Sequence, residues 1–188
     1  MWNFVKKHKV SFRIAKPRKS KLGDYRPPQR GNGHRISVNA DLNPYAFLIT
    51  VLHEFAHLVT WNDFGNKCAP HGREWKLAFK QLLKPYMEAP VFPDDVQEAL
   101  GTYLVNPAAS SCVDVNLSKA LNKHDLVQKT MLEDLPEGST FRLKNGLVFE
   151  KGQRLRKRFK CFCLTNNRWY YVAAIAEVQP IKAQAKLF

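Results

Sequence analysis

Residues 53–57 read His-Glu-Phe-Ala-His. On an α-helix, side chains four apart lie on one face, about one turn from each other. Two imidazoles so placed can bind one zinc ion at about 2.0–2.1 Å. Glu54 occupies the neighbouring arc, too displaced for easy ligation but within reach of a water beside the metal. Zinc lowers the pKa of such a water towards about 7, and a carboxylate can take its proton and later pass it to a leaving amine. This spacing therefore points to a zinc-dependent metalloendopeptidase, with His53 and His57 as ligands and Glu54 as the catalytic group.

A hydrolytic zinc needs a third protein ligand and an open position. The extended pattern with Gly at position 60 and His at 63 is absent, since Thr60 and Asp63 stand there. His71, 14 residues after His57, is the favoured third ligand, and Gly65 and Pro70 let the connecting chain turn back. Glu74 is the runner-up. One zinc ion is expected.

These residues need a helix to carry them. Asn43 is a good N-cap and Pro44 suits a first helical position. Phe47, Leu48, Val51, Leu52, Phe55, Leu58 and Val59 then recur at helical spacing to about Trp61. Apolar residues cover so much of the circumference that the helix should be deeply buried. Two histidines and a glutamic acid inside it are costly unless a metal compensates them. Residues 62–70 read as a loop, and a second helix runs from about Gly72 to Tyr86. Shorter helices are expected at 94–100 and 117–124.

Upstream, Val10–Ile14 and Arg35–Asn39 read as short strands, and residues 16–34 as a basic loop. From residue 139 the pattern changes to strands at 141–144, 147–150, 154–164 and 168–174. Asn145-Gly146, Lys151-Gly152 and Asn166-Asn167 separate them as turns. The expected fold class is α+β: a zincin-like helical core with short N-terminal strands (1–136), followed by a basic antiparallel β-meander (137–188).

The chain has 188 residues, 45% of them hydrophobic, which suffices for a buried core and argues against global disorder. It has neither a run of 18 apolar residues nor an apolar leader, so a cytoplasmic protein without membrane partners is expected, nucleoid-associated if bacterial. Four cysteines (Cys68, Cys112, Cys161, Cys163) are too sparse for a disulfide scaffold.

The net charge of +14 is unevenly spread. Residues 1–40 hold 11 Lys/Arg and one acid, and residues 137–170 hold nine and two, around a mildly acidic centre with eight and twelve. Such segregation suits a polyanion partner. The cluster Arg154, Arg156, Lys157, Arg158 and Lys160 has Phe159, Phe162, Trp169, Tyr170 and Tyr171 close by, a combination that can neutralise phosphates and stack unpaired bases. The N-terminal Lys16, Arg18, Lys19, Lys21, Arg26 and Arg30 are similar candidates. Single-stranded or partly unpaired DNA is the expected partner. The plainer alternative is a solubilising surface over a meander core.

His53-Glu-Phe-Ala-His57-Leu and, after a 13-residue gap counted from His57, His71-Gly-Arg-Glu-Trp75 resemble the SprT-like family of zinc metallopeptidases, which includes the eukaryotic Spartan proteases. Residues 18–26 (RKSKLGDYR) also resemble the basic stretch before that family's catalytic helix. The likeness covers about residues 10–86. It implies His53, His57 and His71 as zinc ligands and Glu54 as acid/base. It also implies a protein substrate, bound or crosslinked to DNA. An alternative is a non-catalytic zinc-containing nucleic-acid-binding protein acting in transcription or stress response. Two departures stand out. The Cys-x-x-Cys pairs of a C-terminal zinc ribbon are missing, with only Cys161-Phe-Cys163 in their place, so no second zinc is expected. The chain also begins almost at its first strand, which leaves little room for an N-terminal helix.

Overall fold

The computed structural model describes residues 2–18, 20–108 and 114–181; Lys19 and Cys112 lie outside them. The fold is α+β, with five helices and two sheets among the described residues. It divides into two compact units, Met1–Asp125 and Leu126–Phe188.

The first unit begins with a short helix, α1 (Trp2–Lys7), where the sequence suggested too little room for one. Its Phe4 ring stacks on Phe55 at 4.5 Å, so the segment is tied to the core by an aromatic contact. Strands β1 (Ser11–Ala15), β2 (Gly23–Arg26) and β3 (Arg35–Asn39) follow, ordered β1-β3-β2, with β1 parallel and β2 antiparallel to β3. Strand β2 lies within the stretch expected to be a loop. The buried Asn39 side chain accounts for it: Nδ2 donates to the Arg18 and Lys21 carbonyls at 3.2 and 3.0 Å, folding the chain back beside β3.

Four helices complete the unit: α2 (Pro44–Phe64), α3 (Arg73–Glu88), α4 (Asp94–Val105) and α5 (Val115–Asn122). Helix α2 runs three residues beyond the expected Trp61 and stops at Gly65, whose positive φ of 61° and N–H bond to the Trp61 carbonyl cap it. Ile49, Val51, Leu52, Phe55, Ala56 and Leu58 point to several sides of α2, yet all are at most 2% exposed. Ile36 and Val38 of β3 and Trp75, Phe79 and Leu83 of α3 join them in one core. The hydroxyls of Thr50 and Thr60, buried in the same helix, bond back to the Ala46 and Ala56 carbonyls, so neither is left unpaired. No described helix is long and apolar enough to cross a membrane.

The second unit is a five-stranded antiparallel sheet, ordered β7-β6-β5-β4-β8: β4 (Thr140–Leu143), β5 (Val148–Leu155), β6 (Arg158–Cys163), β7 (Arg168–Ala173) and β8 (Val178–Pro180). Gly146, at φ 86°, makes the expected β4–β5 turn. Lys151-Gly152 is not a turn. It is a bulge inside β5, and the reversal falls at Arg156-Lys157, with Arg156 at φ 52°. Lys151 is the reason the strand continues. Its side chain is buried, and its ammonium donates to the Leu132, Glu133 and Leu135 carbonyls while lying 3.9 Å from the Phe159 ring centre. Those bonds also draw residues 132–135 onto the sheet. Cys161 and Cys163 share the inner face of β6, fully buried.

Asn43 caps α2 and links it to the end of the unit. Its Oδ1 accepts from the Tyr45 and Ala46 N–H groups, and its Nδ2 donates to the Leu121 carbonyl and Asp125 Oδ1. Asn43→Ala removes all four bonds and should lower stability by about 2 kcal/mol in urea unfolding.

Candidate metal centre

His53 and His57 leave α2 on consecutive turns, their ring centres 5.1 Å apart. The chain then turns back so that His71, just before α3, closes the group: its ring centre is 5.1 Å from His53 and 4.5 Å from His57. His71 holds a left-handed φ of 58°, uncommon for a residue with a Cβ. Such strain persists only where surrounding structure imposes it. Gly72 follows as the N-cap of α3.

One nitrogen from each of the three rings lies within 4.8 Å of the other two. The Nε2 atoms of His53 and His71 are 3.2 Å apart. Tetrahedral zinc with bonds of about 2.0–2.1 Å requires ligand nitrogens about 3.3 Å from each other. The donor set thus fits a metal ion. Trp75, on the first turn of α3, forms the back wall, with its ring centre 4.6 Å from both His53 and His71 and 5.4 Å from His57. Burial, then the neighbouring His57 and His71 rings, push the His53 pKa down to about 3. Burial and His71 bring His57 to about 4, and burial lowers His71 too. All three rings are therefore neutral at pH 7, the form that ligates metal. Glu74 is outside the group; its carboxylate faces the Cys68 thiol.

Glu54 is buried one position along α2, in the wall of a cleft of about 370 Å³ that also exposes the three imidazoles. Burial, then the charge of Asp24, raise its pKa to about 8, against the pull of Arg18, Lys21 and the Tyr25 backbone N–H. A cation on the imidazoles would favour the ionised form. Strand β2 supplies the facing wall. A Cβ added to Gly23 would stand 2.3 Å from Glu54 Oε1, so only glycine permits this approach. The Tyr25 ring lies parallel to His57, centres 6.1 Å apart, and its hydroxyl meets His34 Nδ1 at 3.0 Å. Sequence reasoning noted residues 18–26 only as a basic stretch and gave Gly23, Asp24 and Tyr25 no role in the site. Their four-residue strand sits among Lys, Arg and Pro and carries no apolar alternation.

The expected nucleic-acid residues divide sharply. Arg18 is committed to the sheet, donating to Asn39 Oδ1 at 2.8 Å and Ser37 Oγ at 3.1 Å. Lys21 and Arg26 both pair with Asp24. Arg154 pairs with Glu133. Arg156 and Lys157 form the β5–β6 turn. Only Arg158 and Lys160 share the outer face of β6 with aromatic rings: Phe162, Trp169 and Tyr171 are there, whereas Phe159 and Tyr170 face inward. Trp169 is 59% and Tyr171 62% exposed, and Lys160 Nζ lies 4.7 Å from the Trp169 ring centre.

The profile of the SprT-like family matches residues 1–97. Among curated relatives, Protein SprT of Salmonella arizonae is 50% identical over 42 residues, covering 22% of this chain and 25% of that protein. Protein SprT of Shigella boydii is 48% identical over 54 residues, covering 27% and 32%. Protein SprT of Salmonella newport is 54% identical over 33 residues, covering 18% and 19%. The chain thus spans a third or less of the length of these relatives. No solved structure matches it.

His71→Ala opens the cluster and should abolish stoichiometric zinc, measured by plasma mass spectrometry on the purified protein. Full retention of metal would remove His71 from the ligand set.

Proposed function

The chain belongs to the SprT-like family, and from that membership and its three-imidazole cluster we propose that it is a zinc-dependent metalloendopeptidase acting on proteins bound or crosslinked to DNA. The observation that carries this reading is the convergence of His53, His57 and His71 at an open cleft with Glu54 in its wall. In this reading the first unit is a zincin-like catalytic core, and the protein works in the cytoplasm, at the nucleoid if bacterial.

His53, His57 and His71 would hold the ion through neutral imidazole nitrogens. Zinc, when bound, supplies Lewis acidity that polarises a peptide carbonyl and makes water acidic enough to ionise near neutral pH. Glu54 then takes a proton from the attacking water on a carboxylate oxygen as the new C–O bond forms. It returns that proton to the leaving amine as the C–N bond breaks. Trp75 fixes the imidazoles from behind, and the glycine at position 23 lets β2 press the carboxylate into place. A non-catalytic zinc protein would share the imidazoles but would have no use for Glu54.

DNA association is supported by the outer face of the second unit. Exposed Trp169 and Tyr171, beside Phe162 and flanked by Lys160 and Arg158, are a surface on which unpaired bases can stack and phosphates pair.

Glu54→Gln should abolish cleavage of a denatured protein substrate while zinc content and DNA binding persist. Cleavage at the wild-type rate would leave the non-catalytic reading. Gly23→Ala should retain zinc and lose activity by about a hundredfold, as expected for a catalytic group displaced by about 1 Å. Trp169→Ala with Tyr171→Ala should weaken binding of a thymidine oligomer by at least tenfold in fluorescence anisotropy, since each stacked base contributes about 1–3 kcal/mol.

A further inference from the structure

The outer face of the three-stranded sheet carries groups that the cleft does not use. Strand β3 turns Ile36 and Val38 to the core, so Arg35, Ser37 and Asn39 take the opposite face. Register sets their neighbours. Ser11 and Arg13 of β1 lie beside Arg35 and Ser37, and Arg26 and Asp24 of β2 flank the same two residues on the other side. Arg18 reaches over this face from the loop after β1 to bond Asn39 and Ser37. Together these side chains enclose a hollow of about 300 Å³, lined by Arg13, Arg18, Arg26 and Arg35 with a single carboxylate, Asp24.

That carboxylate is already engaged by Arg26 at 2.9 Å and Lys21 at 2.8 Å. Among the described residues, no carboxylate pairs with Arg13 or Arg35. Arg35 Nε is buried without a hydrogen-bond partner. Four guanidinium groups around one concavity repel each other; Arg18 is held by the sheet and Arg26 by Asp24, while Arg35 keeps a buried donor without a partner, and an anion relieves both the repulsion and that unmet donor. Their planar forks match the oxygens of a phosphate in pairs. The surplus of positive charge over one carboxylate suits a polymer with a charge on every unit better than a lone anionic group.

We propose that this arginine-lined hollow on the outer face of the N-terminal sheet binds backbone phosphates of a nucleic-acid strand. The proposal rests on the reading of the chain as DNA-associated and gives that association a site on the catalytic unit itself. Strand β2 is the common element. Its Gly23 and Tyr25 face the cleft, while Asp24 and Arg26 face the hollow, and Asp24 lines both. A strand held in the hollow would thus share β2 with the cleft that holds Glu54.

The test uses the full chain and a fluorescein-labelled 20-nucleotide thymidine oligomer, with anisotropy followed from 50 to 200 mM salt. Arg13→Gln with Arg26→Gln alters two exposed side chains. Affinity at 50 mM salt should fall about tenfold. The slope of log affinity against log salt should flatten by about 1.4, from two lost single-strand contacts at about 0.7 each. Lys76→Gln with Lys84→Gln on α3 removes the same charge away from the hollow and should cost less than threefold. If the arginine variant binds no more weakly than this lysine control, the hollow is not the site, although DNA association stands. If the wild type fails to bind the oligomer at 50 mM salt, DNA association itself falls, and the proposal with it. Inorganic pyrophosphate separates the remaining source of phosphate. Should it raise the melting temperature of the wild type but not of the arginine variant, with no oligomer binding, the hollow takes a small phosphate and the nucleic-acid assignment is overturned.

Discussion

Three neutral imidazoles brought to one point are the constraint around which the first unit is organised. Nitrogens 3.2 Å apart cannot both be protonated without strong repulsion. Burial against Trp75 removes that option by disfavouring the charged forms. The cost falls on the scaffold. A helix carrying two histidines and a glutamic acid must be buried on several sides, and His71 must adopt a left-handed backbone to complete the set. The apolar residues of α2, and α3 packed against it, hold that arrangement in place.

Strand β2 connects the two sides of this unit. It is four residues long and at the edge of its sheet, yet alternate side chains serve different surfaces. Gly23 and Tyr25 shape the environment of Glu54 and His57, while Asp24 and Arg26 belong to the arginine-lined face. What anchors it is the Asn39 amide, which holds the loop leading into it. A displacement of β2 would therefore be felt on both faces at once.

The second unit solves a separate problem. Its sheet buries one charged side chain, Lys151, and offsets the cost with three backbone carbonyls and an aromatic face in place of a carboxylate. This inward commitment leaves Arg158 and Lys160 to accompany the exposed aromatics on the opposite face. Sheet parity sorted a run of five bases that looks uniform in sequence into different roles.

Much of helix α2 was legible from residue types alone: the Asn43 cap, the apolar recurrence and the paired histidines are all local signals on one regular element. The Asn-Gly turn and the α+β class were legible for the same reason. Strand β2, the Lys151 bulge and helix α1 were not, because each depends on a distant partner: the Asn39 amide, the carbonyls of residues 132–135 and the Phe55 ring. His71 was the favoured third ligand with Glu74 as runner-up, and the path of the chain between α2 and α3 put the ring, and not the carboxylate, at 3.2 Å from His53. Local sequence determines which groups a helix can present together, since its period is built into the backbone. Which groups from elsewhere arrive to meet them is decided by long-range packing, which no local period encodes.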